Sequence, residues 1–203
     1  MIIKQLLVGS WDVFCYLVGC KKTREAVVID PGGEVDRILE AAEKENLKIR
    51  YIVNTHFHGD HTLGNRELKE KTGALIVLHA LDDDLLRGPL KADIRVTGET
   101  TLKVGEIVFQ ILHTPGHSPG GICLYAQGNL FTGDTLFVGD SGRTDLVGGH
   151  RPTLGASLRR LMTLPEETVV WPGHDYGPSP TSTIGREKRT NINAKEYGFY
   201  VED

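Results

Sequence analysis

Residues 55–61 read Thr-His-Phe-His-Gly-Asp-His, and no other stretch constrains the fold of this chain as strongly. Four side chains able to ligate a metal, His56, His58, Asp60 and His61, fall within six residues. The run Tyr51–Asn54 before them reads as a short, buried strand. In an extended segment His56 and His58 point the same way, because successive side chains alternate. Gly59 permits a tight turn, after which Asp60 and His61 can aim at a neighbouring point. A cluster of this kind needs a sheet that delivers it to an exposed edge.

The same arrangement recurs three times. Ile111–Thr114 is followed by Pro115-Gly116-His117, Leu130–Thr132 by Gly133-Asp134, and Val169–Trp171 by Pro172-Gly173-His174. Each is a strand-like run, then a turn, then a His or Asp. Five of the eight histidines are accounted for in this way. The set is five His and two Asp with no Cys, which suits Zn²⁺, Fe²⁺ or Mn²⁺ and argues against a thiolate zinc site or an iron–sulfur cluster. Seven ligands exceed the needs of one tetrahedral ion and fit two ions that share a bridging carboxylate. His79, His113 and His150 stand alone and read as packed or surface residues.

Elsewhere the pattern alternates strands and helices. Strand-like runs are expected at Ile2–Val8, Phe14–Gly19, Val27–Asp30, Ala74–Leu78, Thr101–Val104, Ile107–His113, Ile122–Ala126, Leu130–Thr132 and Thr168–Trp171. Helices are expected at about 34–45, where Val35, Ile38, Leu39 and Ala42 recur at helical spacing, and at about 63–71, 153–161 and 184–194. Gly73 should stop the second helix. The segment 82–98 has no clear period and reads as loop with a short helix. Strands followed by helices, repeated in two halves, predict an α/β layered domain spanning residues 1–203.

Composition narrows the partners. The 203 residues carry 23 Lys and Arg against 27 Asp and Glu, a net charge of −4, with the cations scattered. That disfavours nucleic acid. No apolar run approaches bilayer-crossing length, so no membrane partner is expected. Met1–Gly9 lacks the features of a signal peptide. Cys15, Cys20 and Cys123 show no metal-type spacing and read as reduced thiols, which predicts a cytoplasmic protein. Nothing in the sequence indicates an oligomeric state.

HxHxDH followed by a distant His, Asp and His resembles the metallo-β-lactamase superfamily. The likeness runs from Ile29-Asp30-Pro31-Gly32 to the final helix. It implies an α/β fold of the αββα four-layer sandwich type, with metal at one edge. It also implies that His56, His58 and His117 hold a first metal, that Asp60, His61 and His174 hold a second, and that Asp134 bridges them. Class B β-lactamases generally place a Cys among the second-metal ligands; this chain has none, which disfavours β-lactam hydrolysis.

Within the superfamily the chain is most similar to the glyoxalase II (hydroxyacylglutathione hydrolase) group and to persulfide dioxygenases. Phe131-Thr132-Gly133-Asp134-Thr135-Leu136-Phe137, then Gly142-Arg143, resembles glyoxalase II, as does Tyr176 after Pro172-Gly173-His174-Asp175. The resemblance makes Arg143 and Tyr176 substrate-binding residues. Two departures are an acidic Asp145 where many of those hydrolases carry an aromatic residue, and the absence of their longer helical C-terminal region. Gly142-Arg143-Thr144-Asp145 also resembles persulfide dioxygenases, in which one iron is held by the counterparts of His56, His117 and Asp134. The continuation His61-Thr62-Leu63-Gly64-Asn65 favours the hydrolases.

The expected function is therefore hydrolysis of a thioester of a small thiol-derived substrate, using two divalent ions, Zn²⁺ first, with Fe²⁺ or Mn²⁺ compatible. A hydroxide bridging the ions would attack, Asp60 would orient it, and a thiolate would leave without strong acid help. Asp30 is expected to accept a hydrogen bond from a ligand His. The alternatives are an iron-dependent persulfide dioxygenase and a non-catalytic metal-binding module of the same fold.

Overall fold

Two six-stranded sheets face each other in the computed structural model, which describes residues 1–202. The first is formed by β1 (Ile2–Val8), β2 (Val13–Gly19), β3 (Glu25–Ile29), β4 (Lys48–Val53), β5 (Leu75–His79) and β6 (Ile94–Val96), in that order. The second contains β7 (Thr100–Val104), β8 (Ile107–His113), β9 (Ile122–Ala126), β10 (Asn129–Gly133), β11 (Val169–Pro172) and β12 (Ser182–Thr183), also in order. In both sheets the first pairings are antiparallel. β3 to β6 pair in parallel, as do β10 and β11.

Strand β2 shows why two sheets must stack. All seven of its residues are buried. Phe14, Tyr16 and Val18 alternate into the core between the sheets, where they meet Phe109, Ile111, Leu124 and Phe131. Cys15 and Leu17 point the other way, onto Val35, Ile38 and Leu68 of helices α1 (Val35–Lys44) and α3 (Asn65–Thr72). The outer face of the second sheet is covered in the same manner. Leu154, Leu158 and Leu161 of α5 (Arg151–Leu161) and Ile184 of α6 (Ile184–Thr190) pack on Leu112, Cys123 and Leu130. Each fully buried Leu or Ile contributes about 1.5–3 kcal/mol relative to exposure. The layers are helix, sheet, sheet, helix: the αββα sandwich expected.

Local differences from the sequence reading have physical causes. The helix expected from about Leu63 is α3, which begins two residues later at Asn65, and a separate short helix that the sequence reading did not include, α2 (Gly59–Thr62), precedes it, with Gly64 at the break. A Cβ there would lie 2.6 Å from the Pro31 carbonyl oxygen, so the chain packs its backbone against the β3 turn instead of continuing one helix. Gly73, at φ 70, ends α3 as expected. The aperiodic segment 82–98 holds the end of α4 (Ala80–Asp83) and also β6, three residues too short to show a period. The last helix stops at Thr190 rather than Ala194. Among the described residues no helix is long and apolar enough to cross a membrane. Cys15, Cys20 and Cys123 are buried and unpaired.

Candidate metal centre

The turns after β4, β8, β10 and β11 meet at one edge of the sandwich, and the seven side chains singled out in the sequence converge there. His56, His58 and His117 offer three nitrogens that all lie within 4.8 Å of one another. Asp60, His61 and His174 form a second such group. Asp134 sits between the two. Its Oδ2 is 3.5 Å from His117 Nε2, 3.4 Å from His174 Nε2 and 4.0 Å from His56 Nε2, and its Oδ1 is 3.4 Å from His61 Nε2. Gly173 allows this approach, since a Cβ there would lie 2.2 Å from Asp134 Oδ1.

The far nitrogen of each ring shows how the near one is presented. His61 Nδ1 is 3.0 Å from Asp30 Oδ2, His117 Nδ1 is 2.7 Å from the Arg143 carbonyl oxygen, and His174 Nδ1 is 2.7 Å from the Trp11 carbonyl oxygen. These oxygens can only accept, so each Nδ1 carries the proton and each Nε2 turns a lone pair inward. The Thr55 hydroxyl donates to Asp30 Oδ2 over 2.7 Å and therefore accepts from His56 Nδ1, 3.1 Å away. One buried carboxylate thus sets the tautomer of a histidine in each triad.

The result is a concentration of inward-facing lone pairs. His61 Nε2 and His174 Nε2 are 3.2 Å apart, and His117 Nε2 and His58 Nδ1 are 3.0 Å apart. His56 Nε2 and Asp134 Oδ1 are buried without any hydrogen-bond partner. Orphaned buried acceptors cost about 1–3 kcal/mol each. Cations would satisfy all of them, so the donor set fits two divalent ions. Protons resolve the conflict only in part. Burial and the neighbouring His61 hold His56 well below the usual imidazole range, and burial with His117 lowers His58 to about 4. Burial opposes charging His61, yet Asp134, Asp30 and Asp60 together push it up to about 9.

Two supporting residues carry no signal in the sequence pattern. Trp11 supplies the carbonyl that orients His174 from a turn between β1 and β2. Asp82, fully buried at the end of α4, accepts from the Phe57 amide (3.0 Å), the Ser118 hydroxyl (2.7 Å) and the Gly120 amide (2.5 Å). It ties the His56–His58 turn to the turn bearing His117. A three-Asp run at the start of an aperiodic segment gives no hint of this.

A cavity of about 610 Å³ opens above the centre, lined by Trp11, Phe137, Leu146 and Tyr176 with Arg143. Tyr176 stacks on His174 at 4.5 Å and is 58% exposed. Arg143 reaches this wall, but its guanidinium is paired bidentately with Asp145 at 2.6 Å on both arms. His79 and His113 lie apart from the centre and stack on each other at 4.2 Å.

Comparison with known proteins identifies the family. The family model described as Metallo-beta-lactamase superfamily matches residues 8–174. A Rhodospirillum rubrum protein named hydroxyacylglutathione hydrolase is 40% identical over 86% of this chain and 66% of its own length. The human protein named Persulfide dioxygenase ETHE1, mitochondrial, is 31% identical over 94% of this chain and 75% of its own. Among solved structures, BLEG-1 B3 metallo-beta-lactamase superposes with a TM-score of 0.88 at 32% identity, covering 95% of this chain and 99% of that one. TTHA1623 in a di-iron-bound form gives 0.80 at 35% identity, covering 93% and 98%.

Proposed function

This chain belongs to the metallo-beta-lactamase superfamily, and from that premise we propose that it is a two-metal hydrolase of thioesters of a small thiol. The observation that carries the reading is Asp134, placed within 3.4–3.5 Å of His61, His117 and His174 so that one carboxylate serves both triads. His56, His58 and His117 would hold one ion, and Asp60, His61 and His174 the other. Two divalent ions, zinc in the first instance, would supply a nucleophile at neutral pH and polarise the thioester carbonyl.

The chain's own residues do the rest. Asp30 and Thr55 fix the rings of His61 and His56, so the nitrogens need no reorganisation. Asp60 is the more exposed of the two carboxylates in the set and would orient an attacking oxygen. Trp11, Phe137 and Tyr176 line one side of the cavity with aromatic surface. Arg143 and Tyr176 would contact the thiol arm. The pair between Arg143 and Asp145 is exposed on both sides, so an incoming anion can displace it at small cost.

A second reading, an iron-dependent persulfide dioxygenase, is favoured by the similarity to the human protein of that name. The likeness to a structure named a B3 metallo-beta-lactamase makes a β-lactam the third substrate to set beside them. Elemental analysis of the purified, reconstituted protein tests the premise of the hydrolase reading. Two ions per chain are expected, falling to one in His174→Ala. Absence of any stoichiometric transition metal would overturn it.

A further inference from the structure

Two cavities flank the His58–Gly59 turn. The larger is the one beneath Trp11 and Tyr176. The smaller, of about 280 Å³, lies on the other side of the turn against Phe57, Thr62, Leu85, Leu86 and Arg87. We propose that the smaller cavity is an acyl subsite that takes a short apolar chain ending in a carboxylate. This rests on the thioesterase reading of the centre, which lines the larger cavity through His58, Asp60, His117, Asp134 and His174 and meets the smaller one through His58.

The argument begins with the arms of the substrate. A thioester whose carbonyl sits at the centre extends its thiol arm one way and its acyl arm the other. The larger cavity suits the bulkier thiol arm, and the smaller one is left for the acyl group. Its walls are apolar, with Phe57, Leu85 and Leu86 each half-buried and offering carbon surface.

Charge fixes the end of the chain. Arg143 and Arg87 are the cations lining the two cavities. Arg143 has both arms engaged by Asp145. The other cations near Arg87 are also spent: Lys91 Nζ donates to the carbonyl oxygens of Asp83 (2.6 Å) and Leu86 (2.9 Å), and Arg95 pairs with Asp83 and Asp84. Arg87 has no ion pair or hydrogen bond among the described residues. Its guanidinium keeps a planar fork that fits a carboxylate bidentately. The loop is not loose, because Lys91 and the bond from the Ala92 amide to Asp83 Oδ1 (2.8 Å) tie it back to α4.

The test compares S-butyryl and S-glutaryl esters of N-acetylcysteamine, an uncharged thiol, with the metal-reconstituted protein. A charge-assisted pair predicts a kcat/KM for the glutaryl ester about tenfold above that of the butyryl ester. Arg87→Gln should bring that ratio close to one. A wild-type ratio of one, or a ratio unchanged in Arg87→Gln, would overturn the subsite. Calorimetric titration with butyrate and glutarate repeats the comparison without turnover, and tighter glutarate binding lost in Arg87→Gln is the expected result. Hydrolysis of both esters without preference would sink the subsite and leave the thioesterase reading standing. Glutarate selectivity through Arg87 with no hydrolysis of either ester would do the reverse.

Discussion

Asp30 Oδ2 lies 3.0 Å from His61 Nδ1 and receives the Thr55 hydroxyl over 2.7 Å, while Asp30 Oδ1 takes the Thr55 amide at 2.7 Å. The residue sits at φ 52, a conformation that Asp tolerates better than most side chains, at the end of β3. A single carboxylate from one strand therefore orients donors belonging to both triads.

Asp30→Asn should weaken binding of both ions by about 10- to 100-fold, because an amide offers one acceptor oxygen where Asp30 uses two, and its NH2 would face either the Thr55 amide or the Thr55 hydroxyl and His61 Nδ1. Chelator competition measures this. Wild-type affinity in the variant would show that the tautomers are set in some other way.

Asp82→Ala should destabilise the metal-free protein. It strands the Phe57 and Gly120 amides and the Ser118 hydroxyl, each at about 1–3 kcal/mol if left unsatisfied. Urea unfolding should show a loss of about 3 kcal/mol or more, and Asp82→Asn, which keeps one acceptor, should lose less. Equal midpoints for wild type and alanine variant would contradict the linking role.

Stacked His79 and His113 predict an acid-sensitive element outside the centre. Burial and the adjacent His113 push His79 down to about 4. A depressed imidazole is neutral in the folded chain and charged in the unfolded one, so its contribution is full above about pH 6.5. That contribution is lost as pH falls from there toward 4. Urea midpoints of the metal-free protein at pH 7 and pH 5 should differ less in His79→Gln than in wild type. The same difference in both would place the acid sensitivity elsewhere.

Arg143→Ala should raise KM for an anionic thioester such as S-lactoylglutathione with little change in kcat, the mark of binding shared by ground and transition states. Asp145→Ala, by freeing the fork, should lower it. A fall in kcat without a change in KM for Arg143→Ala would argue against a thiol-arm contact.

The convergence of the seven side chains was legible in the sequence because His and Asp at turns directly after strands form a pattern that residues 55–61 and the three Pro-Gly or Gly turns make local. Asp30 was legible for the same reason, as a carboxylate in a Pro-Gly turn after a strand. Asp82 and Trp11 were not. One acts by accepting backbone amides and the other through its own carbonyl, and neither role restricts spacing. The break between α2 and α3 depends on how closely Gly64 packs on Pro31, a tertiary contact that helical periodicity does not encode. The resemblance made Arg143 a substrate-binding residue, but that its fork is already occupied by Asp145 depends on side-chain geometry that spacing does not encode.

The central claim is that both triads serve one hydrolytic reaction. Its most direct measurement is anaerobic cleavage of S-lactoylglutathione by the zinc-reconstituted protein and by His61→Ala, with oxygen uptake on glutathione persulfide followed in parallel after loading with iron. The account predicts thioester cleavage without oxygen that falls at least 100-fold in His61→Ala, about 2.7 kcal/mol of lost transition-state stabilisation. Oxygen uptake with the persulfide, seen only with iron and surviving His61→Ala, would contradict it.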